Sequence, residues 1–260
     1  MALVDTVVKC RSGVVQIGFG NEARERVGGG SAFLCNDYLV TNHHVFLGHS
    51  KSSLVQLRRD DMPIGTHVEF RSPDFAAKLV TGSQEQSYDY AVLDIPELID
   101  RASHQFSLES PVDRRIGEQI ALLGFPLEHS NLTCHAGIVS SFYTSGIASI
   151  IQLDASVNSG NSGGPLIDPE TGTVLGLITR KATGLSQLFG HLRGAIQQNL
   201  AVAQAAGGGI AIGGIDVVQA FIASQHQMLL TMDEIERQAN VGIGYAISAE
   251  HLLAESCLSS

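Results

Sequence analysis

The sequence contains no tryptophan, only four cysteines, seven prolines and four lysines, and each shortage removes a class of protein. Sixteen Lys and Arg against twenty-six Asp and Glu leave a formal charge of -10 over 260 residues. Nucleic acids and anionic membranes are held by basic patches, so neither is expected as a partner. No apolar run approaches the roughly 18 residues of a membrane span. Met1 to Lys9 has no basic stretch followed by a long apolar one, so no secretory signal is visible and a cytoplasmic location is expected. Four cysteines spread over this length do not make a dense disulfide framework, and no CxxC or Cys/His spacing suggests zinc. Histidines outside the His43-His44 pair are scattered without ligand spacing, so no metal and no other cofactor is expected. Gly207 to Gly214 lacks the GxxxxGK[ST] pattern of a phosphate loop.

What remains is a globular β-rich chain, 44% hydrophobic and 16% charged. Short β-type runs broken by turns cover 13–17, 30–34, 38–41, 53–57, 67–70, 77–80 and 90–95, a spacing that suggests a small antiparallel barrel. Residues 96–115 contain Pro96 and Pro111 and read as a linker. Further runs at 117–124, 137–142, 149–153, 165–167, 173–179 and 241–247 suggest a second barrel. Within it lies Gly160-Asn161-Ser162-Gly163-Gly164-Pro165-Leu166. Glycine costs backbone entropy in helix or strand and proline removes a donor, so this is a tight loop. Such a loop exposes a serine hydroxyl and aims backbone N–H groups, here those of Gly160 and Ser162, at a developing oxyanion. A serine nucleophile also needs a histidine base and an acid to orient it. Two upstream stretches offer them: Thr41-Asn42-His43-His44-Val45 and Asp89-Tyr90-Ala91-Val92-Leu93-Asp94.

With Gly30-Ser31-Ala32-Phe33, Ile116-Gly117-Glu118, Gly124-Phe125-Pro126, Gly137-Ile138-Val139-Ser140 and Val241 to Ile247 in the same order, the chain resembles the trypsin-like serine peptidases. It is most similar to the protease domain of the Deg/HtrA branch. The resemblance implies an all-β fold of two antiparallel six-stranded barrels, the chymotrypsin fold. The N-terminal barrel, 1–100, would carry the histidine and aspartate, and 101–260 would carry the serine. It implies Ser162 as nucleophile, His44 as general base and Asp89 as orienting acid, with Gly160 and Ser162 N–H groups as the oxyanion hole. His44 directly precedes Val45, as the family's T-x-x-H-[VC] pattern requires, whereas His43 does not. Asp94 lies at the opposite strand parity from Asp89. Protonation of His44 in acid is then expected to abolish activity.

Further expectations follow from the resemblance. In digestive relatives an aspartate precedes the serine and pairs with a newly cut N-terminus; Asn161 cannot form that ion pair, so no activating cut is expected. The substrate pocket would be built from Ser156 at its floor, Val157 beside it, Ile178 on a side wall and Thr179 next to it. With no carboxylate or histidine there, cleavage after medium apolar residues of protein or peptide substrates is expected. Secreted relatives bridge a cysteine near Cys35 to one just after the catalytic histidine, a position held here by Val45. The expectation is therefore free, mostly buried thiols in a reducing compartment.

Between Thr179 and Val241 stand 61 residues where relatives have a short connection. Leu185, Leu188, Phe189, Leu192, Ile196 and Leu200 recur at helical intervals, and Gly207 to Gly209 is a stop signal. A second helical pattern runs through Ile215, Val218, Phe221, Ile222 and Leu229, and Thr231 to Glu234 has capping-box spacing, which predicts a third helix start. Three roles stay open for this insertion at about 181–239: a gate over the pocket, a surface for a homo-oligomer or regulatory partner, or a hairpin with neither role. A short final helix is expected after Ser248, and no PDZ-type module follows it. The alternative to an active peptidase is a catalytically silent protease fold used for binding or assembly.

Overall fold

The computed structural model describes residues 2–126, 129–179, 184–205, 211–212, 215–239 and 242–259. The chain divides into two compact units, Met1–Arg180 with Gly242–Ser260, and Lys181–Val241. The first unit holds two large β structures.

The N-terminal β structure is one antiparallel sheet of β1 (Val14–Gly20), β2 (Arg26–Cys35), β3 (Tyr38–Thr41), β4 (Leu54–Arg59), β5 (Val68–Arg71), β6 (Leu79–Ser83) and β7 (Tyr90–Leu93). Its order is β5-β4-β1-β2-β3-β7-β6. The expected double β architecture is present, with this first element a half-barrel sheet of seven strands in place of a closed six-stranded barrel. β5 pairs only with β4 and β6 only with β7, so the edges do not join. Between them the chain makes α3 (Ser72–Ala76), which sends Phe75 fully into the core. Along β1 and β2 the residues Val15, Ile17, Ala32 and Leu34 fill the inside of this sheet, while Val14 and Phe33 on the other face pack against the second β structure. Burial of both faces is why these strands read as nearly continuous apolar runs.

The second β structure is a closed six-stranded barrel, as expected. It joins β8 (Gln119–Gly124), β9 (Thr133–Ser145), β10 (Ala148–Asp154), β11 (Pro165–Ile167), β12 (Val174–Thr179) and β15 (Gly244–Ser248) in the order β10-β15-β12-β11-β8-β9. Its interior holds Ile120, Leu122, Val139, Ile151, Leu153, Leu166, Leu175, Ile178 and Ala246. Val14, Phe33, Val40 and Val92 of the sheet meet Ala121, Leu123, Phe125, Ile167, Val174 and Leu177 of the barrel in a shared apolar seam. The segment read as a linker is stitched into that seam: Phe106 N–H donates to Leu34 O, and Val174 N–H to Ser107 O.

Two end segments reinforce the unit. The helix α1 (Leu3–Cys10) packs Leu3 and Val7 on the seam, and after β15 comes the short helix α6 (Glu250–Leu253). Tyr90 Oη donates to Glu255, the Tyr88 ring stacks on His251 at 4.0 Å, and Asn36 Nδ2 donates to Cys257 O at 2.7 Å. Of the four thiols, Cys10 and Cys35 are buried, Cys257 is half-buried and Cys134 is exposed, which corrects the expectation that most are buried. Burial pushes the Cys10 thiol up to about 11 and that of Cys35 up to about 12.

The second unit contains α4 (Gly184–Ala205), a two-stranded hairpin of β13 (Ala211–Ile212) and β14 (Ile215–Asp216), and α5 (Val217–Ala239). Ile196 and Leu200 of α4 and Met232 of α5 are buried together, with Ile222 and Leu229 partly so. The expected third helix start at Thr231 is corrected: α5 runs through it without a break. Inside a helix the Thr231 hydroxyl instead donates back to Gln227 O at 2.9 Å, the usual recourse of a mid-helix threonine. The expected stop at Gly207–Gly209 lies outside the described residues. Among the described residues no helix is long and apolar enough to cross a membrane.

Candidate active site

β3 ends at Thr41, and Asn42, in extended conformation, turns the chain into α2 (His43–Phe46). The first N–H groups of any helix lack intrahelical acceptors. Here that of His44 is taken by Asp89 Oδ1 at 3.0 Å, while the other oxygen, Oδ2, lies 2.8 Å from His44 Nδ1. One carboxylate thus fixes both the backbone and the ring of the same residue. Asp89 reaches this position from a turn in which its N–H donates to Gln84 O, with φ of 45°, a left-handed conformation uncommon outside glycine. Asn42 Nδ2 holds the turn by donating to Asp89 O at 3.0 Å. Asp89 is 3% exposed. His43 makes no such contact and its Nδ1 is buried without a partner among the described residues; Asp94 is exposed.

A third donor comes from the other β structure. Thr179 Oγ1, at the end of β12, donates to Asp89 Oδ2 at 2.9 Å. Placed in the substrate pocket by its position in the sequence, Thr179 therefore has its hydroxyl on the acid. The Ile178 side chain is fully buried in the barrel core, where half-buried Val157 packs against the same cluster, and Ser156 is half-buried beside it. Gly244 completes this corner, since a Cβ there would lie 2.6 Å from Val157 Cγ2.

The serine loop docks on the sheet beside α2. Ser31 N–H donates to Ser162 O at 2.8 Å. Gly30 sits between the side chain of Val45, next to His44, and Ser162 O: a Cβ there would lie 2.6 Å from Val45 Cγ1 and 3.2 Å from Ser162 O. Gly163, with φ of +85°, lies so close to the sheet that a Cβ would be 2.0 Å from Ser31 O. Gly160 has φ of +96° and its carbonyl accepts from Ser31 Oγ at 2.7 Å, while the same hydroxyl accepts from Phe125 N–H at 2.9 Å. Within the loop the N–H groups of Asn161, Gly163 and Gly164 donate to Asn158 O, Ile178 O and Asn161 O. Those of Gly160 and Ser162 have no acceptor among the described residues. Ser162 is 4% exposed and its Oγ also has no hydrogen-bond partner among the described residues. The structure therefore joins His44 to Asp89 directly and brings Ser162 to the same seam, without a Ser162–His44 hydrogen bond. Asn161 is fully buried and its amide atoms are unpaired among the described residues.

Ser31 is the residue that sequence reasoning left without a role. A signal was available: it sits two positions before the core residue Phe33 on one strand, so both share a face and a polar group at 31 must be buried. Thr179 carried no comparable signal, because its partner comes from a turn 90 residues earlier in the chain.

A sheet and a closed barrel meeting at a seam that holds a His–Asp pair and a glycine-bounded serine define the class of chymotrypsin-like double-β folds. The sequence model described as "Trypsin-like peptidase domain" matches residues 30–177, and the chain belongs to that family. It is 35% identical over 156 residues to "Serine protease Do-like HtrA" of Bacillus subtilis, covering 55% of this chain and 30% of that protein. To "Protease Do-like 5, chloroplastic" of Arabidopsis thaliana it is 30% identical over 171 residues, covering 61% of this chain and 51% of that one. The chain thus spans about half or less of the length of these relatives. Among solved structures, "HtrA-type protease AlgW with tripeptide" shares the fold with a TM-score of 0.61 at 20% identity, covering 100% of this chain and 64% of that one.

Proposed function

We propose that this chain is a serine endopeptidase domain that hydrolyses peptide bonds of protein substrates through an acyl-enzyme. The observation that carries the reading is the doubly bonded Asp89 carboxylate on His44. An ionised carboxylate only accepts, so the ring proton must sit on Nδ1, and Nε2 keeps the lone pair a general base needs. His44 Nε2 would take the proton of Ser162 Oγ as that oxygen attacks the scissile carbonyl, with Gly160 and Ser162 N–H groups donating to the oxyanion. The proton then goes to the leaving amine, whose C–N bond breaks. A water attacks the acyl-enzyme, gives its proton to Nε2, and Ser162 leaves with that proton restored. Thr179 keeps Asp89 in place.

For specificity, Ser156, Val157 and Ile178 offer no charge, and the reading is cleavage after Val, Ile, Leu or Ala. In the inserted unit Leu192, Val202, Phe221, Met228 and Leu230 are exposed. They supply the surface through which the insertion gates the site or meets a partner or second copy.

The unbonded Ser162 hydroxyl favours one second reading, a latent or silent protease fold. Incubation with a fluorophosphonate, beside Ser162→Ala, with the labelled residue read by mass spectrometry, separates the two. Labelling confined to Ser162 is expected. Absence of labelling from the chain and also from a variant lacking 181–239 sinks the peptidase reading; labelling recovered only in the deletion identifies the insertion as the gate.

A further inference from the structure

Arg58 and Arg59 are neighbours on β4, 7% and 5% exposed, and their side chains are satisfied in different ways. Arg59 reaches Asp61 at 2.9 Å and Asp100 at 2.8 Å. Arg58 meets no carboxylate among the described residues. Its Nη1 donates to the carbonyls of Arg59 and Met62 at 3.4 and 3.3 Å, its Nη2 donates to Ser130 O, and its guanidinium lies 5.5 Å from the centre of the Phe125 ring. A guanidinium stays charged at any ordinary pH, and a buried charge is costly unless another charge answers it. In a chain of net charge -10, such a buried cation marks a place for an anion from outside.

Arg58 faces a cavity of about 180 Å³ that opens on the seven-stranded sheet. The cavity exists because of the side-chain alternation of β1. Val15, Ile17 and Phe19 turn into the core, so Gln16, Gly18 and Gly20 face outward, and the two glycines leave the floor bare. Arg24, Arg26, Gln56 and His67 also line it, and no described acidic residue does. Arg24, Gln56 and His67 share one carboxylate, Glu69, at 3.0, 3.1 and 3.3 Å, which leaves the Arg58 end without one. Bulk water takes about 30 Å³ per molecule, so the space holds about six waters, or one tetrahedral oxyanion with several waters around it. Guanidiniums from separate chain positions, Arg58 and Arg24, suit four oxygens in a tetrahedron better than the planar pair of a carboxylate.

We propose that this cavity binds a phosphate-type dianion, with Arg58 as its buried anchor. The group comes either as free phosphate or as phosphate carried on a polypeptide, and both present the same oxygens. The site is separate from the His44–Asp89 pair and does not depend on peptidase activity.

Calorimetric titration of the full chain with inorganic phosphate, at constant ionic strength and with chloride as control, tests it; a phosphoserine peptide and its unphosphorylated form make a second arm. Saturable binding is expected for phosphate or for the phosphopeptide, at least tenfold tighter than for chloride or the plain peptide. An affinity for the phosphopeptide ten times that for phosphate assigns the polypeptide source, and equal affinities assign the free ion. Arg58→Gln should raise Kd at least tenfold. Gly18→Thr should do the same with all charges intact, because a Cβ at 18 meets nothing closer than Gln56 O at 3.8 Å and the fold accommodates it while the floor fills. No saturable binding of either probe, or equal affinity in the parent and both variants, overturns the proposal.

Discussion

Ser31→Ala is the sharpest perturbation of the serine loop that leaves every proposed reacting group in place. The Ser31 hydroxyl, fully buried, is the only partner of two buried backbone groups among the described residues: it donates to Gly160 O at 2.7 Å and accepts from Phe125 N–H at 2.9 Å. Alanine removes both bonds and leaves a space too small and too enclosed to hydrate them well. An orphaned buried polar group costs about 1–3 kcal/mol, so the pair should cost about 2–6 kcal/mol in total. The Gly160 peptide then loses its tether to the sheet, and its N–H, one of the two unoccupied donors, loses its aim. Oxyanion donors act only if preorganised, and loss of one costs about 100- to 1,000-fold in rate; a loosened donor should cost at least tenfold in fluorophosphonate labelling. Stability should be followed by far-ultraviolet circular dichroism in urea, since the chain has no tryptophan. Thr41→Val is the control: it removes only the Thr41 Oγ1 bond to Ser31 O and should leave the labelling rate within about twofold. A Ser31→Ala variant within about 0.5 kcal/mol of the parent, labelling at the parental rate, would refute the reasoning; the threshold is the ordinary scatter of neutral substitutions.

Thr179→Val keeps the shape and deletes a hydrogen bond to an ionised carboxylate, so it should cost about 1.5–3 kcal/mol and slow labelling while KM for a peptide substrate changes little; unchanged stability in urea would count against the bond. Gly163→Ala combines a left-handed φ with a Cβ 2.0 Å from Ser31 O and should fail to give a cooperatively melting protein, as read by soluble yield and a thermal scan. Burial holds His251 below the ordinary imidazole value, and its Nε2 accepts from Ser149 N–H at 3.0 Å, so the folded chain binds it neutral. The unfolded chain therefore takes up more protons, and the stability this contributes is complete above about pH 6.5 and is lost as pH falls toward the lower folded value. His104 and His135 are lowered by burial in the same direction, so His251→Gln should flatten the slope of unfolding free energy between about pH 6.5 and 5 without abolishing it; an unaltered slope would dismiss the role.

Much of the fold was legible because strand residues announce themselves by alternation and turns by glycine and proline. Each of the thirteen β runs in the two β structures appears within a few residues of its expected place. Closure of the first sheet was not legible, since whether β5 and β6 meet depends on how far α3 and Phe75 hold them apart, a distance no local pattern encodes. The break expected at Thr231 failed for a local reason: a capping-box spacing also fits the interior of a helix whose flanking residues already favour it. His44 and Asp89 were named from their motifs, and the structure brings the two into hydrogen-bond contact. The donors that hold Asp89 and the serine loop were not identified, because Asn42 and Thr179 reach Asp89 across 47 and 90 positions and Ser31 reaches Gly160 across 129, and none leaves a periodic trace.

Two of those donors, Ser31 and Thr179, share a geometry that explains where a site of this kind can sit. The seam between sheet and barrel is otherwise apolar, filled by Val14, Phe33, Val92, Leu123 and Ile167. Water excluded from such a layer cannot satisfy polar groups, so a hydroxyl, carbonyl or carboxylate placed there is costly unless it finds a partner inside the protein. Ser31 and Thr179 meet that demand by bonding across the seam, one from the sheet to the serine loop and one from the barrel to the acid. Each therefore fixes a group belonging to the opposite β structure. Thr179 is also the last described residue of β12, from which the chain enters the 61-residue insertion.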